Sequence, residues 1–281
     1  MSLFDAFRYD GKRVVVVGGA TGMGAAAAEL VRDAGAEVVV MDFAPVELPG
    51  VRAIKVDLAD RASIDAAVDV CGGPVDALFS CAGVADGTPG IERINFVGHR
   101  HLIDRMLSAD LLRRGSAICF ISSTAGLGWE SCLEELKQLL DTHDFDAAAR
   151  WFTERDKANY ITTKQAICAY VAREAFPLLK RGIRINAICP GPTNTPLAQA
   201  NRELWLDFGN DYRAEIGGHP FTPLEQAYPL VFLCSDAAAA ISGITLISDA
   251  GWFSSAITES FPSATFIAKI LRDPKILEGN G

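Results

Sequence analysis

Along this chain, short runs of apolar residues alternate with longer stretches in which apolar positions recur every three or four residues. Val14-Val15-Val16-Val17 is a run of the first kind. A continuous β-branched run bounded by turn residues reads as a strand buried on both faces. Further strands are predicted at 37–41, 51–56, 75–81, 116–122, 183–189 and 244–248. Between them lie helix-forming stretches: Ala25 to Val31, stopped by Gly35, then about 61–71, 91–113, 157–179 and 224–235. The last opens on Thr222-Pro223-Leu224-Glu225, with Thr at N-cap, Pro at N1 and Glu at N3. Repeated βα units imply an α/β fold, a doubly wound parallel sheet with right-handed crossovers. No low-complexity linker divides the chain, so one domain over 1–281 is expected.

Two segments break the alternation. Between 128 and 156, Leu133, Leu136 and Leu140 fall at i, i+3, i+7, and Phe145, Ala148 and Phe152 repeat that spacing after Asp141-Thr142-His143-Asp144. Two short amphipathic helices inserted ahead of the 157–179 helix are predicted. A C-terminal extension, about 253–281, carries Phe253, Phe261 and Phe266 beyond the last strand.

Composition narrows the function classes. With 281 residues, 49% hydrophobic and 22% charged, the chain has enough apolar material for a large core. A mean hydropathy of +0.19 fits a sheet covered on both sides. The net charge is -9 and no basic block stands out, which argues against electrostatic capture of nucleic acid. Residues 1–13 lack the apolar core of a signal peptide, and no apolar stretch is long enough to span a bilayer. Seven scattered cysteines with no C-x-x-C pair point to a reduced, cytoplasmic setting. His99, His101, His143 and His219 form no ligand cluster with them, so no metal is expected.

The candidate chemistry starts at Gly18-Gly19-Ala20-Thr21-Gly22-Met23-Gly24, between the first strand and the first helix. Glycines let a backbone approach a pyrophosphate, which then sits at the positive end of the helix. Thr21 either touches phosphate or shapes the turn. Asp42 ends the second strand 18 residues past Gly24, where a carboxylate accepts hydrogen bonds from a ribose 2′-hydroxyl and repels a 2′-phosphate. Phe43-Ala44-Pro45 supplies no positive charge, which favours NAD over NADP. Downstream, Tyr160 and Lys164 are spaced Tyr-x-x-x-Lys, placing a phenol and an ammonium on one helix face. A neighbouring positive charge favours the phenolate, so this tyrosine is a candidate for proton exchange with a hydroxyl or carbonyl.

Over about 11–252 the chain resembles the short-chain dehydrogenase/reductase family, whose fold is a Rossmann domain. Gly18, Gly22 and Gly24 fall on the family's T-G-x-x-x-G-x-G pattern, with Val17 in place of its Thr. Asp57-Leu58 matches an adenine-contacting pair, and Cys81-Ala82-Gly83 the N-A-G segment with Cys for Asn. Asn95, Ser123 and Pro190-Gly191-Pro192-Thr193 match the relay asparagine, the catalytic serine and the nicotinamide-carboxamide segment. The resemblance implies that Tyr160 is the general acid/base and that Lys164 lowers its pKa while binding the nicotinamide ribose. It further implies that Ser123 holds the substrate oxygen and that Asn95 holds a water linking Lys164 to solvent. Met23 joins the cofactor site with the glycines, and Thr193 and Thr195 either bind cofactor or cap the next helix. Ser122 competes with Ser123; register against Ala125-Gly126 favours Ser123. Cys189, next to Pro190, reads as packing.

In most members the serine precedes the tyrosine by about a dozen residues; here the 128–156 segment lengthens that gap. Such an insertion looks like that of bacterial 3-alpha-hydroxysteroid dehydrogenase/carbonyl reductases, where it alters the subunit interface and frames the substrate cleft. Trp205, Phe208, Tyr212 and Phe221 follow the cofactor loop and form either an apolar lid or ordinary core. The resulting expectation is an NAD-dependent enzyme interconverting a secondary alcohol and a ketone on a hydrophobic cyclic substrate such as a 3-alpha-hydroxysteroid. A homodimer or homotetramer is implied by the resemblance. Rival expectations are an NAD-sensing protein without catalysis and a nucleotide-sugar epimerase or dehydratase.

Overall fold

The structure, a computed structural model, describes residues 2–273. Seven strands form one parallel sheet: β1 (Arg13–Val17), β2 (Glu37–Asp42), β3 (Arg52–Lys55), β4 (Val75–Ser80), β5 (Leu112–Ile121), β6 (Arg184–Pro190) and β7 (Thr245–Ser248). Their order is β3-β2-β1-β4-β5-β6-β7. The winding direction reverses between β1 and β4, and a crevice opens beyond the carboxyl ends of strands at such a point.

Alternate residues of each strand feed opposite faces. Val15, Val17, Leu78, Ile118 and Phe120 enter one core, while Val14, Val16, Phe79, Ala117 and Cys119 enter the other. The second core is covered by α1 (Gly22–Asp33) and α10 (Pro223–Cys234), helices that also pack on each other. The first is covered by α2 (Arg61–Cys71), α3 (Gly98–Ser108) and α6 (Tyr160–Lys180). Sequence capping signals hold where they were read. Thr222 and Glu225 form a reciprocal capping box at the start of α10.

The insertion is helical as its periodicity requires. A 3₁₀ turn at Trp129–Cys132 leads into α4 (Leu133–Leu140), and α5 (Phe145–Thr153) follows the predicted break. Asp144 starts α5 by accepting from Ala147 N at 2.8 Å. Leu136, Leu139, Phe145 and Phe152 are buried in the first core, and the Phe152 ring meets Phe96 edge-on at 6.2 Å. Glu135 and Lys157 close an ion pair across the insertion. The remaining helices are α7 (Pro196–Ala200), α8 (Arg202–Trp205), α9 (Asn210–Ile216), α11 (Trp252–Ile257) and α12 (Thr265–Arg272). Residues 274–281 of the predicted C-terminal extension lie outside the described residues. Among the described residues no helix is long and apolar enough to cross a membrane.

Two helix boundaries differ from expectation, and β5, predicted from 116, already starts at Leu112. The helix predicted to run to 113 ends at Ser108, because Asp110 turns the chain at φ 55° and Leu112 already pairs with Val75 in the sheet. Its first part is a wide π turn at Arg93–Val97. The helix predicted from 157 starts at Tyr160. Asn159 is its N-cap, itself extended and accepting from Thr162 N at 2.8 Å, while Asp156 turns the chain before it at φ 55°.

Candidate active site

The crevice at the winding reversal is a continuous groove. One part, of ≈ 430 Å³, runs from Asp42 past the glycine turn to Gly83; the next, of ≈ 350 Å³, holds Ser123, Tyr160 and Lys164. Met23, Cys81, Gly83 and Thr195 line both.

The glycine turn is shaped by close approach. Gly18 has φ +83°, and a Cβ there would fall 2.3 Å from Ala82 N; one on Gly24 would fall 2.0 Å from Gly18 O. Only glycine packs that tightly, and the result puts the first turn of α1 at the groove. Thr21 is the N-cap of α1 yet its hydroxyl makes no capping bond. It therefore lines the groove with Gly22 and the helix amides, a fitting site for phosphate. Asp42 is tied down at both oxygens: Oδ2 accepts from Ala20 N at 2.8 Å and Oδ1 from Ala44 N at 2.9 Å. Each oxygen keeps a lone pair for a further donor. At the far wall, Asp57 orders its own loop by accepting from Ala59 N at 2.9 Å, with Leu58 beside it and Ala82 opposite. The Asp42 carboxylate suits ribose hydroxyls and the amides around Thr21 and Gly22 suit phosphates, so this lining fits a dinucleotide.

At the other end, Ser123 and Tyr160 line the same cavity, near enough for the Ser123 hydroxyl to act on the phenol. Lys164, one turn along α6, places Nζ 5.4 Å from the Tyr160 ring centre and donates to Ile121 O at 3.0 Å. Ser123 also orders its own segment by accepting from Ala125 N at 3.1 Å. Ser122 points away: its Oγ donates to Lys164 O at 2.9 Å and lies 3.2 Å from Cys168 Sγ. Just past β5, Ser122 is thus engaged by the α6 backbone, whereas Ser123 bonds only within its own segment. Pro190, Gly191 and Thr193 line the cavity opposite. Thr193 donates to Gly191 O at 2.9 Å, and Thr195 caps α7 by accepting from Ala198 N at 3.1 Å while its side chain borders both parts of the groove.

The electrostatics correct one expectation. Burial pushes Tyr160 up to about 12, outweighing the nearby Ser123 hydroxyl that pulls it down; the negative charge of Asp86 adds to the rise. Burial also pushes Lys164 down to about 8. The net lowering of the phenol by its ammonium neighbour is therefore not what this arrangement produces: desolvation dominates both groups.

Asn95 stands behind the groove. Its Oδ1 accepts from Val84 N at 2.8 Å, and its Nδ2 donates to Val84 O at 3.1 Å and lies 3.3 Å from Thr163 Oγ1. These bonds pin the 81–84 segment to the π turn and leave Oδ1 one lone pair for a further donor. A Cβ on Gly83 would lie 3.5 Å from both Asn95 Oδ1 and Lys164 Nζ, which shows how close the two stand.

The four aromatics that follow the cofactor loop divide between two cavities. Trp205 meets Tyr160 with ring centres 4.8 Å apart and planes tilted by 42°, and Phe208 lines the same cavity. Tyr212 and Phe221 do not line it; they border a separate cavity of ≈ 210 Å³. Several contributors escaped sequence reasoning. Asp86 lines the cavity and accepts from Tyr160 N at 2.6 Å. Buried His99 donates from Nε2 to Ala82 O at 3.0 Å, and burial holds it down to about 4. Asp249 supports Gly191, where a Cβ would meet the Asp249 Cβ at 3.0 Å. None of these sits in a recognisable motif; only distance in the folded chain reveals them.

The model described as short chain dehydrogenase matches residues 12–132, and the one described as Enoyl-(Acyl carrier protein) reductase matches 142–253. Together they leave only the middle of the insertion and the two ends uncovered. The chain belongs to the short-chain dehydrogenase/reductase family. It is similar to a coniferyl-alcohol dehydrogenase of Pseudomonas sp. (strain HR199), 28% identical over 253 residues, 85% of this chain and 96% of that one. It is similar to the 3-alpha-hydroxysteroid dehydrogenase/carbonyl reductase of Comamonas testosteroni, 28% identical over 250 residues, 85% and 95% of the two chains. The crystal structure of the 3-alpha-hydroxysteroid dehydrogenase from Pseudomonas sp. B-0831 complexed with NADH superposes with a TM-score of 0.71 at 26% identity, covering 89% of this chain and 99% of that one. Family members of this kind are oxidoreductases acting on alcohols with a nicotinamide cofactor.

Proposed function

We propose that this short-chain dehydrogenase interconverts a hydrophobic cyclic secondary alcohol and its ketone with NAD, hydroxysteroids being among the candidate substrates. The observation that carries the reading is the convergence of Ser123, Tyr160 and Lys164 on one cavity at the end of the groove, with Lys164 Nζ 5.4 Å from the Tyr160 ring centre. Gly18, Thr21, Gly22, Met23 and Gly24 would hold the pyrophosphate end, and Asp57, Leu58, Cys81, Ala82 and Gly83 the adenine and ribose walls. Pro190, Gly191, Thr193 and Thr195 would border the nicotinamide. Asp42 selects the unphosphorylated ribose, since a 2′-phosphate there would face a carboxylate. Bound NAD supplies the hydride acceptor, and NADH the donor. The substrate oxygen lies between the Ser123 and Tyr160 hydroxyls. In ketone reduction the Tyr160 proton passes to that oxygen as the carbon gains its hydrogen; in oxidation the phenolate takes the alcohol proton while the C–H electron pair leaves with the hydride. Lys164 opposes the effect of burial on the phenol and would bind the nicotinamide ribose; Asn95 holds the strand end that faces both.

Trp205, Phe208 and Ile121 make the substrate end apolar, which supports a hydrophobic ring over a sugar. The seven cysteines carry free thiols, in keeping with a cytoplasmic enzyme, and assembly as a homodimer or homotetramer belongs to the same reading. The test is a spectrophotometric screen of NADH formation over cyclic alcohols. Turnover restricted to small polar alcohols or sugars would defeat the substrate class. Tyr160→Phe is expected to lose about 10²–10⁴-fold in kcat, and near-native turnover by it would defeat the mechanism.

A further inference from the structure

The two segments that break the βα alternation meet at the catalytic cavity. Gly128, at the start of the insertion, has φ +76°, and a Cβ there would fall 2.1 Å from Leu271 O and 2.4 Å from Arg272 O. The last turn of α12 therefore rests directly on the backbone of the insertion, a few residues past Ser123. From that position Leu271 lines the cavity that holds Ser123, Tyr160 and Trp205.

We infer that α12 is the outer wall of the substrate pocket and that Leu271 limits the length of the alcohol it accepts. This rests on the reading of that cavity as the substrate site. The placement of α12 is secured by its own apolar cluster: Ala268 is buried with Phe261, Ala264, Trp252 and Ala256, and Leu271 packs at its edge. Thr265 Oγ1 donates to Ala256 O at 3.1 Å, and Lys269 pairs with Glu259 at 2.9 Å. Phe208 belongs to the same cluster and lines the same cavity. The wall is thus tied to the aromatic segment whose Trp205 ring meets Tyr160. A leucine set here narrows an apolar space against a backbone contact, so compact rings are accommodated more readily than elongated polycyclic ones.

The experiment compares Leu271→Ala, Leu271→Trp and Gly128→Val with the native enzyme on a series from monocyclic to tetracyclic secondary alcohols. Leu271→Ala is expected to raise the ratio of kcat/KM for long over compact substrates by about tenfold, and Leu271→Trp to lower it. Gly128→Val, which displaces α12, should move the ratio in the same direction as Leu271→Ala. NADH affinity, from fluorescence titration, should stay unchanged in all three. Binding of the matching ketones to NAD-loaded enzyme, followed by tryptophan fluorescence, gives a second readout. If no alcohol is oxidised but ketone size preference shifts with residue 271, the proposed function fails and the wall stands. A size preference that stays constant in both Leu271 variants, in turnover and in binding alike, overturns the inference.

Discussion

Asp86 Oδ1 accepts the Tyr160 amide at 2.6 Å, so a carboxylate stands at the first turn of the helix that carries the candidate catalytic phenol. The charge is close enough to help hold that phenol protonated. Asp86→Asn keeps an acceptor for the amide and removes the charge. Alcohol oxidation needs the phenolate, so the rise of kcat/KM with pH should move to lower pH in this variant. A profile superimposable on the native one would show that Asp86 serves only as a helix-end acceptor.

Ser122 and Ser123 are adjacent and chemically identical, yet face opposite ways. Ser123→Ala should lower kcat by about 10²–10³-fold, the usual cost of removing a donor at a developing oxyanion. Ser122→Ala loses a buried bond to Lys164 O and should cost about 1–3 kcal/mol of stability while keeping most activity. Equal activity losses in the two variants would contradict the assignment.

Lys164 is 3% exposed and held down to about 8 from an ordinary 10.5. Between those values the unfolded chain binds more protons than the native one, so native stability rises with pH through that window. Below about pH 8 the buried charge carries its full cost, on the order of 3 kcal/mol. Lys164→Met, which is expected to be inactive, should therefore unfold at higher urea than the native enzyme at pH 7, and the gap should narrow towards pH 10. An unchanging gap would mean that desolvation is not what lowers this lysine.

Asp42 offers a test of cofactor choice. Asp42→Ser removes the charge that a 2′-phosphate would meet, and the NADP/NAD ratio of kcat/KM should rise by about tenfold or more, each tenfold being ~1.4 kcal/mol. Comparable native efficiency with both cofactors would remove Asp42 from this role.

The order of strands and helices, the insertion with its two helices and the Tyr160–Lys164 face were legible because each depends on local periodicity, and a residue's neighbours one turn or one strand position away are its neighbours in sequence. The glycine turn was legible because only glycine tolerates the approach of Ala82 to Gly18. The direction of the phenol's pKa was not, because desolvation depends on what covers Tyr160: Trp205 meets it and Asp86 sits at its helix start, 45 and 74 residues away in the chain. The same holds for the engagement of Asn95, the burial of His99 and the arrival of Leu271 at the cavity. A chain sets its elements by short-range pattern, but which side chains share a water-poor space is set by closure of the fold, since burial is a property of every element packed around a group at once.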